Sequence, residues 1–145
     1  MSTCIRTMSV TDVRKIHEMG KDQEGFKVAD SQDSCFWSLR QIEQWVEAKQ
    51  DVLLVAEVDH EIAGFLLSIF HRPTCKATIE NVFVVPRHRD GSLWKTLMDD
   101  GCTRLKQMGA TYIHYLVRSN NPYLPVFGRA GFQRGYEFTW FGKQA

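Results

Sequence analysis

Residues 78–98 constrain the fold more than any other part of the chain. They run Thr78-Ile79-Glu80-Asn81-Val82-Phe83-Val84-Val85, then Pro86-Arg87-His88-Arg89-Asp90-Gly91, then Ser92-Leu93-Trp94-Lys95-Thr96-Leu97-Met98. The first block is rich in β-branched and aromatic residues and reads as a strand. Pro86 has no N–H to give and ends the pairing. Asp90-Gly91 marks a turn, and apolar residues at 93, 97 and 105 then recur at helical spacing. A strand that feeds a helix through a short loop leaves the first helical N–H groups bare. Arg87, Arg89 and Lys95 stand beside them, and such a point binds phosphates. Glu80 places a carboxylate just upstream. The combination points to a phosphorylated cofactor laid beside a proton acceptor.

The remaining chain supplies the frame for this unit. At 145 residues it predicts one α/β domain over 1–145. Residues 4–7 read as a first strand. Val10, Val13, Ile16 and Met19 form one face of a first helix, with Ser9 and Thr11 as N-cap candidates and Gly20 as its stop. A polar stretch, 21–35, carries Asp22, Glu24, Asp30 and Asp33. A second helix follows near 38–49. Residues 52–58 and 62–70 form a hairpin around Asp59-His60-Glu61, and 77–85 form a third long strand. The helix at 92–108 presents Leu93, Leu97, Leu105 and either Gly101 or Cys102 inward. Strand 111–117 comes next, then a short helix opened by Asn120-Asn121-Pro122, then a last strand over 132–141. The order β-α-α-β-β-β-α-β-α-β fits a mixed central sheet with helices on both faces.

Composition excludes several classes. Net charge is +1, and Lys and Arg gather into no run, so no nucleic-acid partner is expected. The longest apolar run, 62–70, is too short to cross a bilayer, and the start shows no signal-peptide pattern. A cytoplasmic protein without a membrane partner follows as the expectation. The four cysteines and five histidines show no metal-ligand spacing, so reduced thiols and no metal are expected.

Two motifs and the element order resemble the GNAT superfamily of acyl-CoA-dependent N-acetyltransferases along essentially the whole chain. The family's phosphate loop, Arg/Gln-x-x-Gly-x-Gly/Ala, aligns with Arg89-Asp90-Gly91-Ser92-Leu93-Trp94. Ser92 and Trp94 replace small residues, and Trp is the larger departure. The second motif, Asn-x-x-Ala-x-x-x-Tyr-x-x-x-Gly-Phe, aligns with Asn120 through Gly131-Phe132, with Tyr123 in place of the alanine and Phe127 in place of the tyrosine.

The resemblance implies acetyl-CoA as acyl donor. Its pyrophosphate would lie on the segment Arg89, Asp90, Gly91, Ser92, Leu93, Trp94 and Lys95, and its pantetheine along the backbone of Val82, Phe83 and Val84. Asn120 would join the cofactor site. Asp90 opposes an anion if turned inward, and otherwise caps the helix.

A substrate ammonium must lose a proton before attack. Glu80 is the first candidate base, and His114 the second. The alternative for Glu80 is an outward position on the polar side of its strand. Phe127 lacks the family's hydroxyl, which leaves Tyr123 or Tyr115 to assist the leaving thiolate. Phe36 and Trp37, with Trp140 and Phe141, are candidates to line the acceptor site; packing in the core is the other reading. The expected reaction is acetyl transfer to a primary amine of a small molecule or peptide. The alternative is a degenerate acyl-CoA-binding sensor or interaction module without catalysis. Similar proteins often form homodimers.

Overall fold

A computed structural model describes residues 1–31 and 35–145. The sheet has five strands in spatial order β1-β2-β3-β4-β5: Thr3–Thr7, Leu53–Val58, Glu61–His71, Lys76–Val84 and Tyr112–Tyr115. The first four pair antiparallel, and β4 pairs parallel with β5. The helices are α1 (Val13–Gly20), α2 (Leu39–Ala48), α3 (Ser92–Gln107) and α4 (Leu124–Arg129).

Alternation along the strands builds two cores. Leu53, Val55, Phe65, Leu67 and Phe83 pack with Val13, Ile16 and Ile42 from α1 and α2. Leu54, Ala56, Leu66, Ile79 and Val84 face the other way and pack with Leu93, Leu97, Met98 and Leu105 of α3. Each such aliphatic group contributes about 1.5–3 kcal/mol when fully buried. The inward residue near the middle of α3 is Gly101; Cys102 is half-buried.

Local chemistry sets the boundaries. Ser38 Oγ accepts from Gln41 N–H, and Gln41 Oε1 accepts from Ser38 N–H, closing a capping box on α2. Asp59 and His60, at φ 50° and 69°, form the two-residue turn between β2 and β3. At Gly64 of β3 an added Cβ would stand 2.5 Å from the Phe83 carbonyl oxygen, so only glycine allows this approach to β4.

Two expectations need correction. No sixth strand forms over 132–141. That segment has no strand beside it, and Tyr136, Phe138, Trp140 and Phe141 project outward. The first turn of α4 holds Pro125 rather than Pro122, because Tyr123 occupies the N-cap and Asn121 Oδ1 accepts from its N–H. Phe36, a candidate for the acceptor site, is half-buried, and its ring lies against Gly20 and stacks on Phe26 at 5.4 Å. Of the acidic residues in 21–35, Asp33 lies outside the described residues.

Candidate active site

The site is built around an irregularity in β4. Leu67 of β3 pairs with Asn81, but the next residue, Ser68, pairs with Ile79. Glu80 is the residue passed over, a β-bulge. Pairing with β5 ends at the same point: it runs from Lys76 and Tyr112 to Ile79 and Tyr115 and no further. Beyond Glu80, the segment Asn81–Val84 keeps β3 on one side and, among the described residues, has no strand on the other. Val82, Phe83 and Val84 thus lie on a free backbone edge, open to an added strand-like ligand. Arg89 reaches back over this edge. Its Nε donates to the Val84 carbonyl at 2.6 Å, and its guanidinium lies 5.3 Å from the Phe83 ring centroid.

Glu80 itself is half-buried, and its carboxylate has no hydrogen-bond or ion-pair partner among the described residues. Loss of hydration alone pushes its pKa above the ordinary carboxylate value. Its neighbour Asn81 is buried and accepts a hydrogen bond from Trp37 Nε1 at 2.8 Å. That bond ties the segment before α2 to the bulge. Trp37 also lines an open cavity of about 310 Å³ with Gln41, Gln44, Trp45 and Ile69. The two indoles meet edge-on at 5.3 Å, and Asp51 accepts from Trp45 Nε1. Gln41, Gln44, Trp45 and Ile69 were not legible as pocket residues, because helical spacing alone gives them no role. Trp140 and Phe141 do not join them and are exposed at 65% and 90%.

The α3 N-terminus is only partly free. Gly91, at φ 97°, is its N-cap. Asp90 Oδ1 accepts from both Ser92 N–H and Ser92 Oγ–H, at 2.9 and 2.7 Å. These bonds hold the Asp90 carboxyl below its usual pKa. Asp90 therefore takes the Ser92 amide that a phosphate would use. The amides of Leu93 and Trp94 have no intrahelical acceptor and find no protein acceptor among the described residues. Among the cations, Lys95 pairs with Asp99 and Arg87 with Glu61.

Trp94 turns away from the helix end. Its indole stacks on Phe127 of α4 at 5.0 Å and tilts against Tyr115 of β5 at 6.4 Å. Phe127 thus fills an aromatic cluster where a hydroxyl was missing. Burial raises the Tyr115 phenol to about 12, opposed by its contact with Trp94. A phenol that weak gives up a proton to a thiolate near 8.5 only uphill, by roughly 3.5 pKa units. Tyr123 is exposed at 49% and stands one turn before Phe127. Asn120 is exposed in the preceding turn, and His114 is exposed on β5 beside Thr78 of β4.

A mixed sheet whose fourth strand parts from the fifth, followed by a helix with bare amides, defines the GNAT class of fold. A model of the Acetyltransferase (GNAT) family matches residues 16–132, and the chain belongs to that family. No relative among curated proteins matches the sequence. Solved structures do. A transcriptional regulator from Bacillus halodurans C-125 has TM-score 0.79 and 20% identity, over 98% of this chain and 100% of its own. The structure of AAC(6')-Iy in complex with the bisubstrate analog CoA-S-monomethyl-acetylneamine has TM-score 0.79 and 18% identity over 100% of both chains. The ribosomal-protein-S18-alanine N-acetyltransferase from Escherichia coli has TM-score 0.74 and 16% identity, over 93% of this chain and 80% of its own. At such identities the likeness describes the fold. Among the described residues, no helix is long and apolar enough to cross a membrane.

Proposed function

We propose that the protein transfers an acetyl group from acetyl-CoA to a primary amine of a small molecule or peptide, with Glu80 as general base. The observation that carries this reading is an unpartnered, half-buried carboxylate at the bulge where β4 leaves β5. Acetyl-CoA supplies the activated acyl group and a thiolate leaving group. The backbone of Val82, Phe83 and Val84 would hold its pantetheine arm. The amides of Gly91, Leu93 and Trp94, with Arg89 and Lys95 beside them, would hold its pyrophosphate. Asp90, Ser92 and Asn120 stand at the same end as positioning candidates.

An alkyl ammonium has a pKa near 10.4 and is almost wholly protonated at neutral pH. Glu80 accepts that proton directly or through one water. Its pKa, raised by burial, makes it a stronger base than an ordinary carboxylate. Trp37 offers the acceptor an aromatic wall next to the bulge. Phe36 supports that wall from the core. Tyr123 is the proposed hydrogen-bond donor to the departing thiolate.

Two observations favour the second reading, an acyl-CoA-binding module without turnover: the Asp90 carboxylate on the Ser92 amide, and Trp94 bridging α3 to α4. Thermal shift with coenzyme A, then thiol release across an amine panel, separates the two. Binding with release supports the enzyme. Binding without release in a wide panel supports the module. Coenzyme A at about 100-fold over Kd should stabilise the fold by roughly 2.7 kcal/mol, and no shift at all removes both readings.

A further inference from the structure

The walls of the Trp37–Trp45 cavity restrict what it can hold. Each indole has already committed its one donor. Trp37 Nε1 donates to Asn81 Oδ1 at 2.8 Å, and Trp45 Nε1 donates to Asp51 Oδ2 at 2.9 Å. Both rings are thereby held in place, edge to face at 5.3 Å. What they leave to a visitor is ring surface. Ile69 adds an aliphatic side chain that is 39% exposed. Gln41 and Gln44 add neutral carboxamides, and the Gln41 oxygen is occupied by the Ser38 amide. A volume of about 310 Å³ suits one small molecule.

Charge is the second constraint. Among the described residues, no carboxylate lines the cavity. Asp51, at the edge of Trp45, accepts from that indole with one oxygen and from the Phe70 N–H with the other. By helical spacing, Glu43 and Glu47 fall on the opposite side of α2 from Gln41, Gln44 and Trp45. Arg40, one turn before Gln44, is positive. A ligand carrying a second ammonium therefore has nothing to pair with here. Position joins the cavity to the proposed base. Asn81, which holds Trp37, is next to Glu80. Ile69 pairs with Thr78, which shares its face of β4 with Glu80 by alternation. Two strand residues span about 6–7 Å, so a ring set over Ile69 and Trp37 stands a short spacer away from the carboxylate.

We infer that the acceptor is a monoamine whose nitrogen is joined by a short spacer to a flat, uncharged aromatic body, and that this body lies in the Trp37–Trp45 cavity while the nitrogen reaches Glu80. The assignment rests on the proposed transfer reaction and narrows its substrate. The ammonium gives one proton to Glu80, which passes it to water. The free amine attacks the thioester carbonyl. The C–N bond forms, the C–S bond breaks, and a second nitrogen proton goes to the departing thiolate. The products are the N-acetyl amide, coenzyme A and one proton. The cavity contributes by position: contact between ring and indole holds the nitrogen at the bulge.

The test compares 2-phenylethylamine, ethanolamine and spermidine on the full chain, by thiol release with acetyl-CoA and by calorimetry with coenzyme A in its place. The expected kcat/KM for 2-phenylethylamine is roughly tenfold or more above that of either other amine, with the same order in Kd. Trp45→Leu should cut the preference for 2-phenylethylamine over ethanolamine by roughly tenfold. Gln44→Glu, at an exposed position, should shift preference toward spermidine by about two- to fivefold at low salt. Its melting temperature should match the wild type, which keeps the test decisive if the tryptophan variant folds poorly. Thiol release with ethanolamine or spermidine as fast as with 2-phenylethylamine overturns the inference and leaves the transfer reaction standing. A preference that survives both substitutions overturns it too. Selective binding of 2-phenylethylamine without release from any amine upholds the cavity's ligand and removes the transfer reaction. If none of the three binds or reacts, both fall.

Discussion

β4 behaves as two different strands joined at Glu80. Its first half, Lys76–Ile79, is held between β3 and β5, and Ala77 and Ile79 are closed off from water. Its second half, Asn81–Val84, has among the described residues a strand neighbour only in β3. The first half fixes the sheet. The second gives up half of its partners and so presents backbone groups to a ligand. The lesson is that a free backbone edge here comes from interrupting a sheet and needs no added loop. One residue of slippage does both jobs, since it ends the pairing and pushes a carboxylate into a half-dry position.

The largest expected effect tests the point of division. Glu80→Gln should lower kcat by about 10²–10⁴-fold while coenzyme A affinity, measured by calorimetry, stays within error. Unchanged turnover would take Glu80 out of the chemistry. On the clamped side, Ile79→Ala should cost about 2–5 kcal/mol in urea denaturation, because Ile79 is fully buried. The same change should leave the cofactor Kd nearly alone. If the loss appears in Kd and stability is spared, the two halves are not separate in the way described.

A smaller effect is expected at the loop. Asp90→Asn removes a negative charge beside the α3 amides and should tighten coenzyme A binding by about two- to fivefold at low salt. Weaker binding would show that Asp90 serves as a cap more than it repels. The mildest effect is in pH. The carboxyl pKa of Glu80 is raised by burial, so folding stability attributable to it falls as pH rises from its unfolded value of 4.5 through its higher folded value. The acidic limb of kcat/KM should likewise lie above 4.5, and it should vanish in Glu80→Gln.

Much of this was legible beforehand, and for local reasons. Ser38 and Gln41 announce a capped helix three residues apart. Leu93, Leu97 and Leu105 announce an inward stripe. Asp59-His60 lies between two apolar runs. The strand, loop and helix over 78–98 are contiguous, so their order alone locates the candidate site. What was not legible depends on partners far along the chain. The bulge at Glu80 is a property of register against β3 and has no sequence mark. The Trp94–Phe127 stack joins residues from two helices, and it explains why both motif positions depart from the family pattern together. Phe36 and Trp37 looked alike, yet one fills the space over Gly20 and the other reaches Asn81. The tail over 132–141 has the alternation of a strand, and alternation alone does not make one.

Gly64 touches nothing that a ligand would touch, yet it sits across from Phe83 and Val84 with room for a hydrogen atom alone. Any other amino acid there wedges the third strand off the fourth just where the fourth has lost its other support. A survey of substitutions would score this position as severely as a residue of the proposed site, and for a purely mechanical cause.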